Sequence, residues 1–478
     1  MVTAPAPTPH AASPPQSTRS NAPLFVALWA LYFLVHELKQ APWQSDVGVP
    51  LMVVRVLIVG SALATLHDPS DVRRFLGMLV LQIVSVLIEL PAMSNCWLFT
   101  GLLGVGLVGA HLEAFNRRGR ATTVESVYEI YAPAARVSLL VMYAFAALAK
   151  YNTDFFDAKA SCAALFYRVF AASASLPAVG WMTWVSIVGT IAAETALPVF
   201  LAPRATRRYA IVFGMGFHTL LAHNPNIAVY DFNAMLFALY VTFAPADFFA
   251  AVRPRPSIRT AFWVARNRLA VFGALTVISV LLVWLTSRTG HASVLGRYRI
   301  GLWFLIGAMM TIVAATTLLS REGAPRADLV APYRVRDAAG WLAVVLVGLN
   351  GAAPYLGLKT GVAYTMFSNL HTERGYENHL FVPAAAKVFG YQDVSVRVLA
   401  SSASQMMEGL AGDERLVLHD LRMRAAQHPE ASIVYEIDGE VFEVARVADD
   451  PRLAPPSWLE RKLLYFRNVQ AIKRSCQW

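Results

Sequence analysis

Tyr143–Asp157 reads YAFAALAKYNTDFFD, and the reading of the whole chain turns on this stretch. An apolar helix runs on to Lys150, where the hydrocarbon should stop. Asn152, Thr153 and Asp154 follow at once, and Phe155 and Phe156 close the run. A lysine at the edge of a membrane helix is ordinarily a snorkelling anchor, with its stem in lipid and its ammonium in water. The alternative is a lysine turned into an interior cavity, where burial disfavours the ammonium and the amine serves as a base.

The flanking sequence supports a membrane setting. Of 478 residues, 56% are hydrophobic and only 15% charged, and the mean hydropathy is +0.47. A soluble chain carries about a quarter charged residues. The apolar residues come in long runs rather than in alternation, which points to a polytopic all-α membrane protein with about 9–11 transmembrane helices. The net charge of +10 is not a nucleic-acid footprint, because most of the arginines lie in short loops where they set topology. Cys96, Cys162 and Cys476 lack metal-ligand spacing and permit one disulfide without implying a framework.

Residues 1–22 are rich in Pro, Ala, Ser and Thr and read as a disordered cytoplasmic tail. Apolar segments follow near 23–38, 48–66, 75–92, 96–115, 135–150, 179–202, 209–223, 226–245, 269–286, 298–319 and 339–357. Basic loops alternate with basic-poor ones: Arg73–Arg74, Arg117–Arg120, Arg204–Arg208, Arg253–Arg268 and Arg321–Arg336. These all fall on the cytoplasmic side of the cell membrane if the N-terminus is cytoplasmic. Lys150 and the C-terminal tail then share the extracytoplasmic face. Residues 155–176, too polar to span, fit an interfacial amphipathic helix that would roof a cavity facing Lys150.

From about residue 359 the composition becomes that of a small α+β extramembrane domain, 359–478. SIVYEI-DG-EVFEVA predicts a β-hairpin with a type I′ turn at Asp438-Gly439. Val394–Leu399 reads as another strand and Glu414–Gln427 as a helix ended by His428-Pro429.

Within the apolar runs stand residues that a bilayer does not accept without partners: Glu89, Asn95, Glu194, His218, Asp231 and Asn233. Each taken alone is explained by helix-packing hydrogen bonds. Taken together, Lys150, His218 and Asp231 would lie toward one membrane face, with Glu194 at a depth from which it could pair with one of them. No metal site is expected, and there is no Walker loop, HExxH, GxSxG or DxDxDG motif.

At AALAKYNTDFFD the chain resembles the vitamin K-dependent γ-glutamyl carboxylase family and its bacterial relatives, the horizontally transferred transmembrane domain (HTTM) proteins. The pattern is an apolar helix, a lysine, an apolar or aromatic residue, and a polar Asp-containing step that ends on an aromatic. The resemblance continues at Glu194, at Gly216-Phe217-His218 and at Asp231-Phe232, and covers roughly residues 24–250. At Ser94-Asn95-Cys96-Trp97 the family commonly has Asn-His, and here the second position is cysteine.

The resemblance implies a carboxylase-like transmembrane domain over 23–250, with additional helices over 251–358. It implies a quinol-dependent carboxylase or epoxidase that works with a reduced naphthoquinone. In that chemistry the quinol is deprotonated and reacts with oxygen, the strong base so formed removes a γ-proton, and carbon dioxide adds to the carbanion. Carried onto this chain, Lys150 is the catalytic base and His218 polarises a quinone oxygen or stabilises the carbanion. Asn95, Glu194 and Asp231 are expected to bind the cofactor. The expected partners are membrane lipid and a peptide or small-acid substrate at the extracytoplasmic face, with no nucleic acid. The alternative is a non-catalytic binder or transporter of a lipid, quinone or proton. Pro354–Pro383, dense in Asn, His and Glu, also resembles a stretch that follows the membrane core in bacterial HTTM-like proteins. It reads first as a connector whose polar groups cap turns, and otherwise as a lid over the cavity. Geometry separates these functions: the enzyme reading requires Lys150 and His218 to face one cavity.

Overall fold

The computed structural model describes residues 20–39, 48–173, 175–224, 229–246, 292–319, 333–407 and 414–470, with some single positions such as Phe248 and Cys476. The expected span at 269–286 lies outside the described residues. Described helices are α1 (Ala22–Lys39), α2 (Val49–His67), α3 (Val72–Glu89), α4 (Asn95–Arg118) and α5 (Val124–Leu148). They continue with α6 (Cys162–Ser173), α7 (Gly180–Leu201), α8 (Arg204–Ala222), α9 (Tyr230–Phe243), α10 (Ala292–Leu318) and α11 (Ala338–Ala352). Local chemistry sets several starts: the side chains of Asp71, Ser94, Thr123 and Asp337 each accept from a first-turn backbone N–H.

Six of the described helices, α1, α2, α4, α5, α7 and α10, are long and apolar enough to cross a membrane. The chain is mostly helical, and these six helices are compatible with a polytopic membrane protein. Leu57, Trp184, Val188, Leu305 and Ile312 are among many large apolar residues that face outward on these helices, as a lipid-facing surface requires. α9 is the axis of the bundle. Apart from half-buried Phe232, each of its residues is buried, and it packs on α1, α8 and α5. A helix that is apolar on all sides belongs in such a centre.

Small residues let the helices close up. Gly106 and Gly109 of α4 face Ala343 and Ala339 of α11, and Gly351 of α11 faces the Phe145 ring of α5. A Cβ on Gly109 would run into Ala339. Gly109→Leu is therefore expected to cost about 1–3 kcal/mol or more through overpacking, read as a lower unfolding midpoint in detergent. Gly60→Leu, at a position with open space around it, is the control and should be near neutral.

The C-terminal region carries β1 (Ser395–Ser401), β2 (Glu414–Val417), β3 (Ile433–Ile437), β4 (Glu440–Val444) and β5 (Val469–Gln470), with α12 (Leu418–Ala425) and α13 (Trp458–Leu463). The strands form one antiparallel sheet in the order β4-β3-β1-β2-β5. The expected hairpin is present as β3–β4. Asp438 at φ 50° and Gly439 at φ 85° supply the two left-handed positions of a type I′ turn. The helix expected over Glu414–Gln427 is corrected. Its first four residues are strand β2, paired on one side with β1 and on the other with β5, and only Leu418–Ala425 is helical. Pairing with strands distant in sequence overrides a local helical preference.

Burial pushes the Asp420 carboxyl, in the first turn of α12, up to about 7. The folded state thus holds this proton more tightly than the unfolded chain, whose Asp titrates near 3.9. The contribution to stability is full below about pH 4 and is lost as pH rises through about 7. Asp420→Asn is expected to remove that slope. The check is the unfolding midpoint of variant minus wild type across pH 4–8.

Candidate functional site

α5 ends at Leu148, and a turn carries Lys150 inward rather than out to the headgroups: the residue is 4% exposed. Its Nζ lies 2.7 Å from Glu194 Oε2 on α7 and donates to the Ala146 carbonyl at 3.3 Å. Pro198, inside α7, leaves the Glu194 carbonyl without its ordinary helical donor. The snorkelling reading of Lys150 does not hold in the fold.

On α8, His218 is buried, with Nε2 2.8 Å from the Tyr143 hydroxyl. That hydroxyl lies 2.6 Å from the Tyr240 hydroxyl of α9. Phe217 and Phe232 meet the imidazole edge to face. The Tyr240 hydroxyl fills the position where a Cβ of Gly214 would stand, so this chain of three groups depends on glycine there.

Lys150, Glu194, His218 and Asn95 line one cavity. Aromatic surface comes from Phe99, Phe155, Phe166 and Phe232. The 155–176 stretch provides part of this wall, with its helix confined to Cys162–Ser173.

The segment Pro354–Pro383 is more than a connector. Tyr364, Met366 and Phe367 line the cavity directly. The segment is tied to the end of α5 by bonds from Thr153 N to Asn378 O (3.0 Å), Leu380 N to Tyr151 O (2.9 Å) and Asn152 Nδ2 to Ser368 O (2.6 Å). His379 Nε2–H donates to Leu148 O at 3.0 Å, while its Nδ1 accepts from Phe381 N and Val382 N. Asn95 Oδ1 accepts from Tyr364 N at 2.9 Å, so the Asn95 side chain holds the lid as well as facing the cavity. Val362, Tyr364, Phe367 and Asn369 have φ between 52° and 60°. Non-glycine residues take such values only where surrounding contacts enforce them, at about 1–3 kcal/mol each. Here that backbone carries Tyr364 and Phe367 into the cavity. Within the lid, burial pushes Glu373 up, but His371, 3.6 Å away, and Arg467 outweigh it and hold the carboxyl below its usual range. A disulfide joins Cys162, itself a wall residue, to Cys476.

Asp231 does not line the cavity. It is buried behind Cys96, with Oδ2 3.0 Å from His36 Nδ1 and Oδ1 2.8 Å from Lys39 Nζ. Cys96 Sγ lies 3.7 Å from Oδ2. Glu89 also belongs elsewhere, in a buried cluster with Arg55 (3.0 Å) and, through Arg55, with Glu37 (3.8 Å).

Sequence reasoning missed His36, Lys39, Tyr143 and Tyr240. The signal for α1 was present as His36-Glu37-x-Lys39, three ionisable residues closing an apolar helix. Nothing in sequence marked the tyrosines, which look like ordinary bundle aromatics. Comparison with protein-family models, curated proteins and solved structures gives no match for this chain.

Proposed function

We propose that the chain is a quinol-dependent, carboxylase-like membrane enzyme in which Lys150 is the base. The observation that carries this reading is that an ion-paired lysine and a hydrogen-bonded histidine face one lidded cavity whose apolar wall includes several aromatic rings. The walls suit a reduced naphthoquinone: the phenylalanines offer surface for a flat bicyclic ring, and Lys150 and His218 offer polar groups for its oxygens. When bound, the quinol supplies reducing equivalents and, with oxygen, a base strong enough to take an unactivated C–H proton.

The chain's own part is proton handling. Lys150 and Glu194 form a neutral unit as ammonium and carboxylate, and remain neutral as amine and carboxylic acid after one proton moves across 2.7 Å. The second arrangement presents a free amine to the cavity without placing net charge in an apolar site. His218, braced by Tyr143, is positioned to donate to or accept from a ring oxygen. The lid limits water, which a carbanion requires.

In this reading the arginine-rich turns face the cytoplasm. Lys150, the lid and the C-terminal domain lie on the extracytoplasmic side, where a disulfide such as Cys162–Cys476 persists. The substrate is then a peptide or small acid that arrives from that side, with lipid around the bundle. The test is carbon dioxide incorporation and epoxide formation with reduced naphthoquinone on the full-length protein in detergent or nanodiscs. Product formation supports the enzyme. Thermal stabilisation by the quinol without any product would instead favour a non-catalytic binder.

A further inference from the structure

Three side chains with metal-ligating atoms meet behind the cavity wall, each from a different helix: His36 of α1, Cys96 of α4 and Asp231 of α9. Their ligating atoms all lie within 4.8 Å of one another, and all three residues are buried. His36 Nδ1 lies 3.0 Å and Cys96 Sγ 3.7 Å from Asp231 Oδ2. A tetrahedral zinc ion with bonds of about 2.0–2.3 Å has ligand-to-ligand edges of roughly 3.3–3.8 Å. Small side-chain adjustments would reconcile the two sets of distances.

We propose that His36, Cys96 and Asp231 form a binding site for a divalent ion of the zinc class, and that Lys39 is the displaceable cation holding it in the ion-free state. The donor set, one imidazole, one thiolate and one carboxylate, is borderline-soft and suits zinc or cobalt rather than magnesium or calcium. A thiolate and a carboxylate together carry two negative charges, which a divalent ion neutralises and a single lysine does not. On binding, the ion takes the sulfur lone pair, the thiol proton leaves to solvent, and the Lys39 ammonium is released.

Two further observations favour a site over a plain ion pair. The His36 ring is stacked on Trp97, with centroids 4.2 Å apart and planes at 7°, which fixes Nδ1 toward the cluster. Lys39 is the last residue of α1, and its side chain is 25% exposed against 2% for Asp231. The ammonium can therefore swing out without opening the core. Cys96 also lines the cavity, so a bound ion would border the space shared by Lys150 and His218. The site was invisible to motif spacing, because its ligands lie 195 and 135 positions from Asp231.

The test uses tag-free full-length protein, stripped with a chelator and titrated with Co2+, with elemental analysis after Zn2+ loading and desalting. One equivalent of metal with a thiolate-to-cobalt charge-transfer band is expected, and Cys96→Ser should abolish the band. Lys39→Met, which removes the competing cation, should tighten binding by roughly five- to 150-fold, the usual range for coupling between two ligands of one protein. Under the plain ion-pair reading the same variant would only lose stability. Absence of retained metal in wild type overturns the proposal, as does a cobalt spectrum that Cys96→Ser leaves unchanged. If Lys39→Met does not fold, the wild-type and Cys96→Ser results decide.

Discussion

Lys150→Ala is expected, under the proposed function, to abolish quinol oxygenation and carbon dioxide fixation while the bundle stays folded. A positioned general base contributes about 10²–10⁴-fold in rate. Here the same residue also keeps the cavity neutral, so the loss should fall at the upper end. The fold should survive because Glu194, unlike the Arg55 cluster, borders the cavity, where water can hydrogen-bond its carboxylate once its partner is gone. Lys150→Arg sharpens the test. A guanidinium preserves the ion pair with Glu194 but does not deprotonate, so this variant should bind quinol and fail to turn it over. Measured product from either variant at the wild-type rate would remove Lys150 from the chemistry. Activity in the arginine variant alone would assign it a binding role through its charge.

Arg55→Met should strongly destabilise the helical bundle. Arg55 of α2 lies between Glu37 of α1 and Glu89 of α3, and Ser85 Oγ donates to Glu89 at 2.6 Å. All three side chains are at most 10% exposed. Removing the cation leaves Glu89 buried without its ion-pair partner and with Glu37 close by, and breaking a buried pair in this way costs about 3–5 kcal/mol. The triple variant Glu37→Gln, Arg55→Met, Glu89→Gln should regain most of that loss, because no uncompensated charge remains. Unfolding midpoints of the single and triple variants make the comparison. An Arg55→Met protein as stable as wild type would show that water already reaches this cluster.

The two expectations differ in how far the sequence foretold them. Lys150 stood out because a polar Asn-Thr-Asp step follows it directly and aromatics close the run, so its end of α5 could be located by inspection. Its partner could only be narrowed to a set: Glu194, His218 and Asp231 were all within reach in depth. The structure pairs it with Glu194, brings His218 into the same cavity, and sets Asp231 behind the wall. Position along a span gives depth in the membrane, but a helix apolar on all sides has no polar stripe to fix its rotation, and rotation decides which of two residues at one depth faces inward. Glu89 shows the same limit from the other side. It looked as suggestive as Glu194, yet its contacts are Arg55 and Ser85, and its role is packing.

What the sequence determined by itself was local: long apolar runs that form helices, side-chain caps at Asp71, Ser94, Thr123 and Asp337, and the Asp438-Gly439 turn with its two strands. Each depends on interactions within a few residues, where backbone sterics and hydrogen bonding to neighbours dominate. Only the tertiary structure decided what lies across the chain. Asn152 bonds to Ser368, 216 positions away, and Asn95 to Tyr364, 269 away. Cys162 joins Cys476, and Glu414–Val417 becomes a strand because β1 and β5 flank it. Such contacts are specified by which surfaces fit when all the helices pack at once, and no stretch of sequence read alone carries that information.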